Sequence, residues 1–294
     1  MREIVSRVES FLEKTGFAYS ENRGCFDVAA KKRKNFFILK VLNNVDSIRE
    51  EQAINLRTIS VELGSTAFIV GERTRKEELE KDVIYQRFDI PTLSIDALEN
   101  IFLHKYRPIV SRKRGGLFVD IDSEMLRKQR QKLGLTQEEL AQKAGTTKKS
   151  IYEHERQSKK ASKELADSLE SVLGKVSSPF SFKAKKRIKN EPKGQFESFV
   201  ARHFRSIGFE TNSVYQAPFN LIAKNEELTI LSEAEEKREK IEKMLEEMIS
   251  FSRLCRKPII AVTKEETDLE IPTIAEKDLR GYSARDIRKL IRSW

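Results

Sequence analysis

The chain has 294 residues, of which 35% are charged and 38% apolar, with a formal net charge of +10 at pH 7. Such a composition can bury cores beneath a charged surface, which excludes a disordered or fibrous chain, and the length suits two or three domains. No stretch approaches the roughly 18 to 20 continuous apolar residues of a membrane span, and the opening Met1-Arg2-Glu3-Ile4 lacks the apolar core of a signal peptide. A cytoplasmic protein with no membrane partner is therefore expected. Cys25 and Cys255 lie in unrelated contexts, form no metal knuckle, and are not expected to form a disulfide inside a cell.

Charge is unevenly distributed. Residues 1–104 carry 16 basic and 17 acidic side chains, residues 105–193 carry 23 and 11, and residues 194–294 carry 17 and 18, so the blocks hold −1, +12 and −1. All of the net positive charge lies in the middle, which points to a polyanionic partner for that block.

Taken in order, the first block opens with Ile4, Val5, Val8, Phe11 and Leu12 on one helical stripe. Apolar runs at Cys25 to Ala30 and Phe36 to Leu42 read as paired strands around the polar turn Lys31 to Asn35. A helix over about Ser47 to Leu63 stops at Gly64, and a buried strand follows at Thr66 to Val70. The last block repeats this order. His203 to Phe209 answers Phe11 to Phe17, Phe219 to Lys224 answers Phe26 to Lys31, and Thr229-Ile230-Leu231 answers Phe37-Ile38-Leu39. Ile259 to Val262 answers Ala67 to Val70, and Ile271 to Ile274 answers Ile90 to Leu93. Five matches in one order imply two copies of a small α/β domain, the second with a longer helix at about Ser232 to Leu254 and a solvated acidic face at Glu233 to Glu247. Basic connections flank the middle, at 105–122, where Leu117 to Asp122 alternates as a short strand, and at 175–194, a mobile linker with seven Lys or Arg.

The middle, 123–174, is helical. Met125, Leu126 and Leu133 stripe a first helix closed by Gly134, and Thr136 with Glu139 makes a capping box for a second. Leu140, Ala141 and Ala144 face inward, Gly145 turns, Thr147 caps a third helix bearing Ile151, and Leu165, Leu169, Val172 and Leu173 stripe a later one. Two short helices joined through small residues make a helix-turn-helix. The run from Gly134 to Ile151 resembles the phage repressor and Cro family, the Cro/C1 type of lambda-repressor-like helix-turn-helix domain. That resemblance implies that Gln137 contacts a DNA phosphate, and that Lys148, Lys149 and Ser150 enter the major groove. Thr147, Tyr152 and Glu153 complete the candidate DNA-binding set, and Arg130 with Glu155 takes the place of the family's structural ion pair. Lys at 148 and 149, where the closest phage pattern has Gln, and Gln157 where Gly is usual, leave the operator unassigned. The whole chain also resembles a family of archaeal transcription regulators of similar length.

A competing chemistry comes from the arms. Asp27, the strand Phe37-Ile38-Leu39-Lys40 and Gln52 resemble the restriction-endonuclease-like and Holliday-junction-resolvase superfamily, in which an Asp and a Glu two residues before a Lys hold Mg²⁺. Ile38 takes the Glu position. In the second copy Asn220 replaces the Asp, Ile230 again takes the Glu position, and Ser232 replaces the Lys. Both arms therefore read as degenerate, without catalytic residues, metal or cofactor, and Asp27 with Lys40 as a weak pair on the sheet surface. No phosphate loop or nucleophile elbow occurs, and of His104, His154 and His203, the second suits helix packing better than metal ligation.

The fold class expected is α/β plus all-α: two repeated degenerate endonuclease-like domains, 1–104 and 195–294, around a helical DNA-binding module. The function expected is a sequence-specific transcription regulator, not an enzyme, that binds double-stranded DNA as a homodimer; the sequence leaves room for an effector but identifies none. A metal-dependent endonuclease using the first arm, and an antitoxin-like protein-binding module, are the alternatives.

Overall fold

The structure, a computed structural model, describes residues 2–105, 107–113, 115–157, 159–182 and 187–292. The first block folds as α1 (Arg2–Thr15), β1 (Ala18–Glu21), β2 (Val28–Lys32), β3 (Asn35–Asn44), α2 (Glu50–Leu63), β4 (Thr66–Arg73), β5 (Val83–Arg87), β6 (Ile90–Ser94) and α3 (Ile95–Leu103). The middle adds β7 (Val110–Lys113), β8 (Gly116–Ile121), α4 (Ser123–Lys132), α5 (Gln137–Lys143), α6 (Lys148–Arg156), β9 (Lys160–Ser162), α7 (Lys163–Leu173) and β10 (Ser177–Ser178). The last block holds α8 (Gln195–Ser206), β11 (Glu210–Ser213), β12 (Leu221–Lys224), β13 (Thr229–Ala234), α9 (Arg238–Cys255), β14 (Ile259–Thr263), β15 (Thr273–Ala275), α10 (Glu276–Leu279) and α11 (Ala284–Arg292).

Two compact units emerge. One comprises the described residues of 2–43, 47–69 and 187–292, the other those of 44–46 and 70–182. Residues 70–104, which the sequence joins to the first arm, thus cluster with the middle of the chain.

In the first unit, α1 forms because Ile4, Val8, Phe11 and Leu12 recur on one face and all become buried, with Glu3 in its first turn and Lys14 in its last suiting the helix dipole. Strands β1, β2 and β3 pair antiparallel, with Glu21 opposite Val28 and Val28 opposite Leu39. The last block builds a five-stranded sheet in the order β11-β12-β13-β14-β15, antiparallel through β13 and parallel beyond it. Helix α8 closes this sheet by burying Phe196, Val200, Ala201 and Phe204 against Leu221, Ile230, Ile260 and Val262.

The two halves of this unit share helices. Helix α9 packs on β1 and β2, and its Phe251 ring lies 5.4 Å from both Phe26 and Phe219. In return, Asn55, Thr58 and Glu62 of α2 hold the Tyr215 amide of the last block, Asn190 just before it and Asn212 within it, respectively. The backbones nearly touch where the Cys25 amide donates to the Gln216 carbonyl at 2.6 Å. Gly24 makes this possible: its φ is +154°, and an added Cβ would lie 2.0 Å from that carbonyl oxygen.

In the second unit β5 pairs antiparallel with β6 and parallel with β7, and β7 forms a hairpin with β8. The opposite edge of β8 takes β9, and β10 continues past the end of β7. The 105–122 connection is therefore largely a hairpin, whose Val110-Ser111-Arg112-Lys113 strand hides its pattern beneath basic residues. In the 175–194 connection, Phe180 is tied to the Pro108 carbonyl, while Arg187 pairs with both Glu62 and Glu210 of the first unit. Lys185 and Lys186 lie outside the described residues.

Candidate nucleic-acid interface

Four helices, α4 to α7, surround a core of Leu126, Leu140, Ala141, Ala144, Ile151, Ala166, Leu169 and Leu173. Val119, Ile121, Ala161 and Val176 from β8, β9 and the segment before β10 complete it, so the strands are part of the module rather than a lead into it. Helix starts are fixed by side chains. Asp122 accepts from the Met125 amide at 2.9 Å, Thr136 and Glu139 form a reciprocal box, and Ser162 accepts from Leu165 at 3.2 Å. Between α5 and α6, Ala141 and Ala144 are small enough for close packing, and Gly145 turns the chain at φ +63°. Space is open around Gly145, so backbone conformation alone disfavours a side chain there, by about 1 to 2 kcal/mol.

This frame presents the first turn of α6. The Thr147 hydroxyl accepts from the Ser150 amide at 3.1 Å, Lys148 and Lys149 are exposed, and Ser150 is half-buried. Neither lysine makes a hydrogen bond or ion pair among the described residues. One turn on, Tyr152 is 51% exposed, whereas Glu153 holds Lys159 at 2.9 Å, which lowers its pKa. His154 turns inward, and burial depresses its pKa, which keeps the ring neutral.

Behind this face lies a shared polar hub. Arg130 donates to Glu155 through Nε at 2.6 Å and through a terminal nitrogen at 3.0 Å, and its other terminal nitrogen reaches the Leu135 carbonyl at 2.7 Å. The side chains are only 12% and 5% exposed, and the guanidinium holds Glu155 below the usual carboxylate range against the opposing cost of burial. Gln137 Nε2 donates to the same carboxylate at 2.7 Å. Glu155 therefore both joins α4 to α6 and orients the Gln137 amide, whose second N–H stays available. The link from Glu155 to Gln137 has no signal in sequence spacing, because it runs between different helices.

The arms bring together a different set. Asp27 accepts from Lys40 at 3.0 Å and from the Val41 amide at 2.6 Å, and Lys40 also donates to the Gly24 carbonyl at 2.8 Å. At 19% and 10% exposure these side chains form a sheltered pair, not the solvated surface pair expected from sequence. Ile38 is fully buried, and Gln52 caps α2 by accepting from the Arg49 amide. The ammonium stands beside the only carboxylate of this set, so these residues do not suit a divalent cation.

The last block is offset by one residue from the sequence reading. Val28 faces Leu39 as Leu221 faces Ser232, so Leu231 rather than Ile230 answers Ile38, and Glu233 rather than Ser232 answers Lys40. Glu233 lies in β13, not on a solvated helix, and the long helix begins only at Arg238. Asn220 clasps the Ala234 backbone at 2.8 and 2.9 Å and lies 3.4 Å from both Glu233 and Glu197. Burial, reinforced by Glu235 and Glu197, pushes the Glu233 pKa up to about 8, so its carboxyl is largely protonated at neutral pH. Among the described residues no group of three His, Cys, Asp or Glu is placed to hold a metal ion.

A helix-turn-helix family matches residues 126–180, and the PD-(D/E)XK superfamily domain matches residues 1–108. The protein is thus a mixed α/β chain with a nuclease-like N-terminal domain and a central Cro/C1-type helix-turn-helix. It is 30% identical to a Thermococcus gammatolerans protein over 98% of this chain and 93% of that one. A Methanosarcina mazei relative is 31% identical over 78% and 76%, and a Methanocaldococcus jannaschii relative 30% over 95% and 93%. All three are provisionally named HTH-type transcriptional regulatory proteins, and this chain belongs to their archaeal family. No solved structure matches the chain. No helix among the described residues is long and apolar enough to cross a membrane.

Proposed function

We propose that the protein is a sequence-specific, double-stranded DNA-binding transcription regulator that reads the major groove with α6. The observation that carries this reading is the pair Lys148 and Lys149, exposed and without an ion-pair partner among the described residues, at the start of a Thr147-capped helix. Lysine donors at that position suit guanine O6 and N7, Ser150 and Tyr152 lie beside them, and Gln137 faces the backbone. Glu153, already engaged by Lys159, has the weakest claim to a base contact. A single module reads few base pairs, so the chain acts as a homodimer on half-sites about 34 Å apart, in the cytoplasm.

The arms are two copies of one domain that has lost nuclease chemistry. Their element order, the 193-residue offset of their paired registers and the exchange of α2 and α9 support this reading, and Lys40 beside Asp27 supports the loss. Selection from a random duplex library is the decisive test. Lys148→Ala or Lys149→Ala is expected to cost about 1 to 3 kcal/mol on the selected site and to relax one or two base positions. Unchanged preference in both variants would overturn the assignment of α6. Mg²⁺-dependent cutting abolished by Asp27→Ala would restore the nuclease alternative.

A further inference from the structure

The last block is nearly neutral overall, yet one of its clefts gathers four cations. A cavity of about 530 Å³ opens beside α8 and α10, lined by Arg202 of α8, Lys264 after β14, Lys277 and Arg280 together with the carboxylates of Glu236 and Glu276, and with Phe199 also in its wall. The lysines are already engaged, Lys264 by Glu236 at 3.2 Å and Lys277 by Glu266 at 2.7 Å. The arginines are not: among the described residues neither Arg202 nor Arg280 has a carboxylate partner. In the same block Arg205, Arg238 and Arg288 each hold one.

Both free guanidinium groups are nonetheless anchored. Arg202 donates from Nε to the Ser198 carbonyl at 3.2 Å, and the Arg280 guanidinium lies 5.6 Å from the centroid of the Phe199 ring. Each anchor leaves terminal N–H donors unclaimed. Two planar forks on the wall of one concavity match the oxygens of a dianion, and their partial fixing lowers the entropy lost on binding it. Glu276, which forms no ion pair among the described residues, supplies an acceptor suited to a hydroxyl. The concavity has the size of a small-ligand site, whereas a duplex backbone would engage an open stripe.

We propose that this cleft binds a small hydroxylated phosphomonoester, with Arg202 and Arg280 on the phosphate and Glu276 on a hydroxyl. The proposal does not depend on DNA binding through α6. Calorimetry on the full chain, with ribose 5-phosphate, ribose, inorganic phosphate and a nonspecific DNA duplex in separate titrations, tests it. Ribose 5-phosphate is expected to bind at one site per chain, about tenfold more tightly than ribose, and Arg202→Ala or Arg280→Ala to weaken it about tenfold. Arg253→Ala, outside the cleft wall, should leave binding unchanged. Arg280→Lys, which keeps the charge, should bind weakly but measurably and so separates lost contact from lost fold. The proposal fails if no saturable phosphomonoester binding occurs, if both alanine variants bind like the wild type, or if the two arginines affect duplex binding alone.

Discussion

In the helix-turn-helix module a sheltered ion pair is held by several partners while two lysines stand exposed; in the first block a strand carries a matched pair, and in the last block a strand carries a buried acid. Arg130, Glu155 and Gln137 share their hydrogen bonds, while Lys148 and Lys149 at the start of α6 have none among the described residues. Asp27 lies with Lys40 in the first block and Asn220 with Glu233 in the last, where one Glu233 oxygen has no hydrogen-bond partner among the described residues. The contrast teaches that the module uses its sheltered polar side chains to tie α4, α5 and α6 together and leaves the start of α6 exposed. In the first block the carboxylate is matched by an ammonium, whereas in the last block burial keeps the acid protonated with one oxygen left without a partner among the described residues.

The largest expected effect lies at the module's hub. Arg130→Ala would leave Glu155 sheltered with Gln137 as its remaining side-chain partner, and breaking such a pair costs about 3 to 5 kcal/mol. Lys159→Ala removes an exposed pair with Glu153 and should cost less than about 1 kcal/mol. Hydrogen-exchange protection of α4 to α7 in the two variants separates these cases. Equal losses would mean that the hub is no more than a surface ion pair.

A second effect, of opposite character, belongs to the last block. Glu233 titrates near 8 in the folded chain against an ordinary value of 4.5, so the native state holds its proton more tightly than the unfolded state does. Stability from this group is therefore greatest below about pH 4.5, declines as pH rises toward about 8, and changes little beyond. Glu233→Gln should remove the decline and raise the Tm at pH 8 more than at pH 5. Lys40→Met should instead destabilise the first arm at neutral pH by stranding Asp27. A Tm for Glu233→Gln that is lower than wild type at pH 8 would show that the ionised carboxylate is stabilising and would break the contrast between the arms.

The module was legible in the sequence because its determinants are local. Thr136 and Glu139 lie three residues apart, Thr147 immediately precedes its helix, and Gly145 marks the turn, so caps and period agree within one short run. The elements of the first and last blocks were legible in order, but the register of the last block was not. All six residues of β13 are buried, so no alternation distinguishes its faces, and a shift of one residue exchanged Ser232 for Glu233. The acidic run after Ser232 then resembled a solvated helix, although its first members finish a strand. Short β1 and basic β7 lack the apolar alternation that marks a strand, and the separation of residues 70–104 from the first unit depends on long-range contacts that no local pattern encodes.

The smallest predicted effect sharpens the comparison most, because it separates a residue that holds the reading face from one that touches DNA. Gln137 donates one N–H of its amide to Glu155, which Arg130 already secures by two bonds. Removing the amide should change stability by less than about 1 kcal/mol, since the charged pair stays intact. The second N–H is the one available to a phosphate. Gln137→Ala should accordingly weaken the selected duplex and unrelated duplexes alike, by about 1 kcal/mol, with base preference unchanged. Lys148→Ala should do the converse, relaxing preference while leaving the fold alone. Binding measured on the selected site and on a scrambled duplex, alongside urea unfolding of the free chain, distinguishes the two. If Gln137→Ala lowers stability as much as Arg130→Ala does, the amide belongs to the structural lock; if it alters base preference, it reaches the groove and not the backbone.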